Sequence, residues 1–184
     1  MDTLEVATPA CGVLVMVHMR KRWVIVLGTM SLAASARAAE IRSTFVVSKS
    51  ENKNQVHYAI AVDDACLPVG PNPVKPYWRM LDQSSTEVQR IMVREQRLYG
   101  IAEQRVEGAS VRIRLRALPS RPITITTSRG ANGTCVATTT ALINGKPSRL
   151  YNIHVALKLF GVDHLLVTGW APDGSIVRER IDHR

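Results

Sequence analysis

Over residues 111–117, Val111, Ile113, Leu115 and Ala117 alternate with Arg112, Arg114 and Arg116. Successive side chains on a strand point to opposite faces, so this segment predicts a strand with one dry face and one wet, basic face. The same alternation predicts strands over 45–48, 56–62, 75–81, 99–106, 123–127, 135–143, 150–159, 165–170 and 176–181. In the second of these, Val56, Tyr58, Ile60 and Val62 share one face.

The segments between are short and rich in turn formers: Glu107-Gly108, Leu118-Pro119, Asn132-Gly133, Asn144-Gly145 and Asp173-Gly174. Asn-Gly and Asp-Gly tolerate the positive φ that two-residue hairpin loops demand, so consecutive strands are expected to run antiparallel. From Tyr99 to the end of the chain the layout predicts a meander. The expected fold is all-β: an antiparallel meander closing into a small, calycin-like β-barrel or a β-sandwich. One stretch breaks the pattern. Ser84 and Glu87 have the spacing of a capping box, and Val88, Ile91 and Met92 would share a helical face, which predicts one short helix near 85–98. The Pro-rich run 66–73 is expected to be an extended loop.

The N-terminus changes the picture of where the chain folds. Met19-Arg20-Lys21-Arg22 is followed by the apolar run 23–34 and then by Ala36-Arg37-Ala38. A basic region, an apolar region of about a dozen residues and an A-x-A site match a bacterial secretory signal peptide. We expect a signal peptide over 1–38, cleaved after Ala38, with residues 1–18 a mis-called start ahead of Met19. An uncleaved anchor over 13–36 would carry Arg20, Lys21 and Arg22 inside the bilayer, at several kcal/mol each. Residues 39–184 then form a single β-rich domain without a membrane span, located in the periplasm or secreted. Removing Arg20, Lys21, Arg22 and Arg37 with Asp2 and Glu5 lowers the formal charge from +9 to +7. The domain stays basic, and mostly through arginine, the side chain that grips carboxylate and phosphate bidentately. That permits an anionic partner. Nucleic acid fits poorly, because only 5% of the residues are aromatic and few rings are left for stacking on bases.

Cys66 and Cys135 remain after cleavage, in a compartment where disulfides persist. A bond between them would close a loop of about 70 residues and stabilise the fold by roughly 4 kcal/mol in the chain-entropy model. The other reading is two buried thiols. Neither has a histidine pair nearby, so no metal site is expected.

Several short motifs, in order, resemble DUF4833, a family of secreted bacterial domains of unknown function. They are Lys49-Ser50 with Asn52-Lys53-Asn54-Gln55-Val56-His57-Tyr58, Asn72-Pro73-Val74 with Tyr77-Trp78, Glu95 to Ile101 around Tyr99-Gly100, and Thr168-Gly169-Trp170 with Asp173-Gly174 and Glu179-Arg180-Ile181. The resemblance spans about 45–181. It implies a β-rich envelope domain and brings no activity.

Two groups of residues are candidates for binding. Tyr58, Asn72, Tyr77, Trp78, Tyr99 and Trp170 are amphipathic or polar groups suited to a ligand pocket in a small barrel, against the plainer reading that aromatics on strands are core. Arg112, Arg114 and Arg116, joined by Arg178 and Arg180 if their strands are neighbours, would form an anionic-surface site, against the plainer reading of a solvated outer face. His57, His154, His164 and His183 are scattered, and no nucleophile or acid lies at a spacing that local structure would bring to them, so no catalytic residue is assigned. Asp63 and Asp64 are expected to be turn formers, and Asn132-Gly133-Thr134 a hairpin turn rather than a glycosylation site. The resulting expectation is an exported, non-enzymatic envelope domain that needs no cofactor and binds an amphipathic or anionic ligand. Docking of an envelope protein through a strand edge is the alternative, and a hydrolase with no visible site the third.

Overall fold

A computed structural model describes residues 39–41, 43–50, 52–81, 88–159 and 161–182. The expected signal peptide over 1–38 and the pair Ser84 and Glu87 lie outside them. Among the described residues the strands are β1 (Ala39–Ile41), β2 (Val46–Lys49), β3 (Asn52–Val62), β4 (Val74–Arg79), β5 (Val88–Arg90), β6 (Ile101–Glu107), β7 (Ser110–Leu115), β8 (Leu118–Arg129), β9 (Cys135–Ile143), β10 (Lys146–Lys158), β11 (Gly161–Trp170) and β12 (Ile176–Asp182), with one short helix, α1 (Gln96–Tyr99). All the strands join one sheet, mixed but mostly antiparallel.

The expected meander is present: β6 to β12 pair in sequence order, each antiparallel to the next. The Asn144-Gly145 loop is a two-residue turn with both residues at positive φ, 51° and 73°, the conformation that pair is chosen for. The turn expected at Leu118-Pro119 falls two residues earlier, at Arg116-Ala117. Leu118 pairs with Leu115, and Pro119 lies in β8 beside a shift in register, where its missing N–H leaves no gap in the ladder.

The N-terminal half departs from a meander. β10 pairs with β11 along one edge from Arg149 to Lys158. Its other edge is divided: residues 146–149 pair with β9, and residues 152–155 pair with β2 in parallel. Two arms therefore leave the same edge of β10, one ordered β2-β3-β4-β5 and the other β9-β8-β7-β6. Their inner faces meet in a single core that includes Val56, Tyr58 and Ile60 from β3, Ile113 from β7 and Ile123 and Ile125 from β8. The alternation read from the sequence thus places the correct side chains inside.

The sheet is not closed into a barrel. Where its far ends approach, Gln104 of β6 donates from Nε2 to the Val74 carbonyl (2.8 Å) and accepts the Val74 N–H at Oε1 (3.0 Å). One side-chain amide stands where a barrel would have a ladder. The expected helix near 85–98 is also corrected. Val88–Arg90 is spent on pairing with β4, Tyr77 opposite Arg90, and the helix is the single turn Gln96–Tyr99. Glu95 ends the link: its Oε2 accepts both the Met92 N–H and the Trp78 indole N–H, each at 2.9 Å. Ile91 is buried without being helical, and Met92 is exposed. Among the described residues no helix is long and apolar enough to cross a membrane.

Candidate functional site

The aromatic residues proposed from sequence do not line one cavity. Tyr58, Trp78 and Tyr99 are core residues. Tyr58 stacks on Phe45 at 4.3 Å and donates its hydroxyl to the Tyr99 carbonyl at 2.8 Å. Burial drives its phenol far above the ordinary tyrosine range. Trp78 meets Tyr99 edge-on at 5.1 Å. Tyr77, on the opposite face of β4, packs against the His57 ring at 5.6 Å, and Asn72 is exposed in the loop before β4. Trp170 ends β11, partly exposed and in contact with Tyr151.

A cavity of about 320 Å³ opens instead where α1, the β7–β8 turn and the β10–β11 hairpin converge. Its construction is local. Tyr99 turns inward to the core, and the chain leaves α1 through Gly100, where a Cβ would stand 2.3 Å from the Gln96 carbonyl oxygen. Only glycine fits that exit. The Gly100 carbonyl then accepts the Arg116 N–H at 2.9 Å, which ties the β7–β8 turn to the end of α1. Arg97 and Arg116 consequently stand at the same cavity. The remaining wall is apolar: Leu98, Tyr99, Ala117, Pro119, Val155, Val162 and Leu165. No acidic residue lines it, and neither arginine has an ion-pair partner among the described residues.

Two of these groups, Tyr99 and Arg116, are among the sequence candidates. Arg97 is not, because a lone arginine in a polar stretch carries no signal until the fold brings it to Arg116.

The five arginines expected to act together are divided. Arg112 faces Glu107 at 3.6 Å and Arg114 faces Glu103 at 3.4 Å, both acids coming from the paired strand β6. Arg178 and Arg180 lie on β12, which β8 to β11 separate from β7 along the sheet order. Arg180 pairs with Asp182 at 2.8 Å and approaches Asp163 at 3.7 Å. The arginine most deeply involved is one that alternation alone does not single out. Arg121 of β8 makes a two-pronged ion pair with Glu179 of β12, with one contact at 2.6 Å and the second between Nη2 and Oε1. Glu179 also accepts the Asn144 N–H, and these contacts, Arg121 first, hold its carboxyl below the ordinary range.

The polar groups of the first arm form short chains. His57 is buried, with Nδ1 2.7 Å from the Ser43 hydroxyl and Nε2 3.1 Å from Gln55 Oε1. Burial, followed by the nearby Arg79 charge, lowers its pKa and favours the neutral ring. An amide oxygen only accepts, so Nε2 carries the proton and Nδ1 accepts from Ser43. Ser48 similarly lies 3.1 Å from His154 Nδ1.

The disulfide Cys66–Cys135 is formed, and it fastens the loop after β3 to the start of β9. Thr127 donates to the Cys66 carbonyl at 2.6 Å, and Asp63 accepts the Ala65 and Leu67 N–H groups as a turn former. Among the described residues no group of three histidine, cysteine or acidic side chains is gathered to hold a metal.

No curated protein and no solved structure matches the chain. The model of the domain of unknown function DUF4833 matches residues 45–180, which contain β2 to β11, most of β12, the disulfide and the cavity at Arg97 and Arg116. The chain belongs to the DUF4833 family.

Proposed function

We propose that this domain is a non-enzymatic binder of an amphipathic anion, working in the bacterial envelope after export through the 1–38 segment. The observation that carries the reading is the cavity between α1, the β7–β8 turn and the β10–β11 hairpin. Its apolar wall is combined with two arginines that have no acid among the lining residues. Binding pockets of this kind place few polar groups in a mostly apolar surface, and the volume lies at the lower end of the usual range of about 300–1,000 Å³. An acyl tail would gain about 0.8 kcal/mol for each methylene removed from water along Leu98, Val155, Val162 and Leu165. Its head group would meet the forks of Arg97 and Arg116, which bind carboxylate or phosphate through paired N–H donors.

The test compares two probes with the same tail and opposite heads, dodecanoate and dodecyltrimethylammonium, by thermal shift and calorimetry on residues 39–184. Dodecanoate is expected to bind and raise the melting temperature, and the double variant Arg97→Ser, Arg116→Ser to lose at least tenfold in affinity. Equal effects from both probes, or none from either, would overturn the reading.

Docking of an envelope protein remains the second reading. It is supported by β12, which pairs only with β11 among the described strands and carries Ile176 exposed. An unpaired strand edge is a ready template for β-augmentation.

A further inference from the structure

β10 contains a bulge between Leu150 and Asn152 where it pairs with β11. The extra residue is Tyr151, which is turned outward, 56% exposed, with its ring 4.9 Å from that of Trp170. Bulges that re-aim a side chain concentrate at sheet rims and next to sites. Close approach of the strands here depends on Gly169, where a Cβ would lie 2.5 Å from the Arg149 carbonyl oxygen and 2.7 Å from the Ile143 side chain. Arg149 also approaches Trp170, its guanidinium 5.9 Å from the indole centre and without a carboxylate partner among the described residues. Trp170 and Arg149 line a groove of about 660 Å³ that also includes Pro147, Pro172 and Thr140.

The register extends this groove into a line. Trp170 pairs with Arg149, Arg149 with Thr140, Thr140 with Thr124, and Thr124 with Arg112. Five strands at a spacing of about 4.8 Å give a row about 19 Å long from Trp170 to Arg112. The row crosses the strands on the outer face, opposite the buried Ile113, Ile123 and Ile125. The backbone groups beneath it are already consumed by the ladder. A ligand lying along the row must therefore be recognised through side chains alone: an aromatic ring, two hydroxyls and the guanidinium of Arg149, with Arg112 at the far end already facing Glu107.

We propose that this row is a binding site for an acidic polysaccharide, a chain of uronate sugars laid across the sheet with one ring on Trp170. A pyranose presents a flat C–H face that an indole covers, a rim of hydroxyls that threonines can both donate to and accept from, and, in a uronate, a carboxylate that fits the fork of Arg149. A peptide strand is the poorer occupant, since its main chain would find no free partner on a paired face and would seek the β12 edge instead.

The experiment is calorimetric titration of residues 39–184 with a mannuronate hexamer, and with a neutral dextran oligomer and a proline decapeptide as comparisons. The hexamer is expected to bind. Trp170→Ala and Arg149→Gln should each weaken it at least tenfold, and Trp170→Phe should retain most of the affinity. Lys75→Gln, which removes the same charge from an exposed position on the other arm, should change it less than twofold. Trp170 is partly exposed, so the variants are expected to fold, and their melting temperatures check this. Overturning results are no binding of the hexamer, capture of the proline decapeptide in its place, or equal loss in Arg149→Gln and Lys75→Gln with none in Trp170→Ala, which would mean attraction by net charge alone.

Discussion

The β6–β7 hairpin and the cavity beside α1 both present arginine, but to different effect. On the hairpin, Arg112 and Arg114 point into solvent and each meets a glutamate from the neighbouring strand. At the cavity, Arg97 and Arg116 stand over an apolar wall with no acid among the lining residues. Counting arginines favours the hairpin. Charge left uncompensated beside apolar surface favours the cavity, because an anion arriving there displaces no internal partner and gains contact for its tail. Arg121 marks the other extreme, with its charge satisfied internally by Glu179.

The largest expected effect comes from this third arginine. Glu179→Ala removes the partner of Arg121 and an acceptor of the Asn144 N–H, and should cost about 2–4 kcal/mol in urea denaturation. The pH dependence follows from the same contacts. Because the folded state holds the Glu179 carboxyl below its unfolded value of 4.5, the pair contributes fully above that pH. Its contribution is lost as pH falls from 4.5 through the lower folded value, where the native state takes up the proton in turn. The acid limb of the stability profile should flatten in Glu179→Gln.

At the cavity, Arg97→Ser with Arg116→Ser should leave stability within about 0.5 kcal/mol while dodecanoate affinity falls at least tenfold, since exposed unpaired charges contribute little to folding. Smallest is the effect on the hairpin. Arg112→Ala with Arg114→Ala should cost no more than about 1 kcal/mol and leave dodecanoate binding unchanged. If the hairpin variant lost the ligand and the cavity variant kept it, the contrast between the two regions would be reversed.

Much of the fold is legible in the sequence. Alternation over 111–117 predicts which side chains of β7 face inward, and Asn144-Gly145 predicts its turn, because both are decided within a few residues. The parallel pairing of β2 with β10 is not legible, since it joins residues more than a hundred apart and leaves no local mark. The helix near 85–98 illustrates a competition: Val88, Ile91 and Met92 have helical spacing, but the open edge of β4 offers 88–90 a ladder. Of the sites, the arginines on β7 are visible by their period, while the glutamates that neutralise them need the β6–β7 register. The cavity needs three remote segments brought together, which no spacing announces.

The amide of Gln104 that joins β6 to Val74 gives the sheet a seam one residue wide. A continuous ladder shares load over many bonds and fails cooperatively, whereas this seam has two bonds on one rotatable side chain. Its opening would bare the Val74 backbone groups and the facing edge of β6, and bared edges recruit strands from other molecules. The glutamine thus shields a strand edge as well as bridging the two arms.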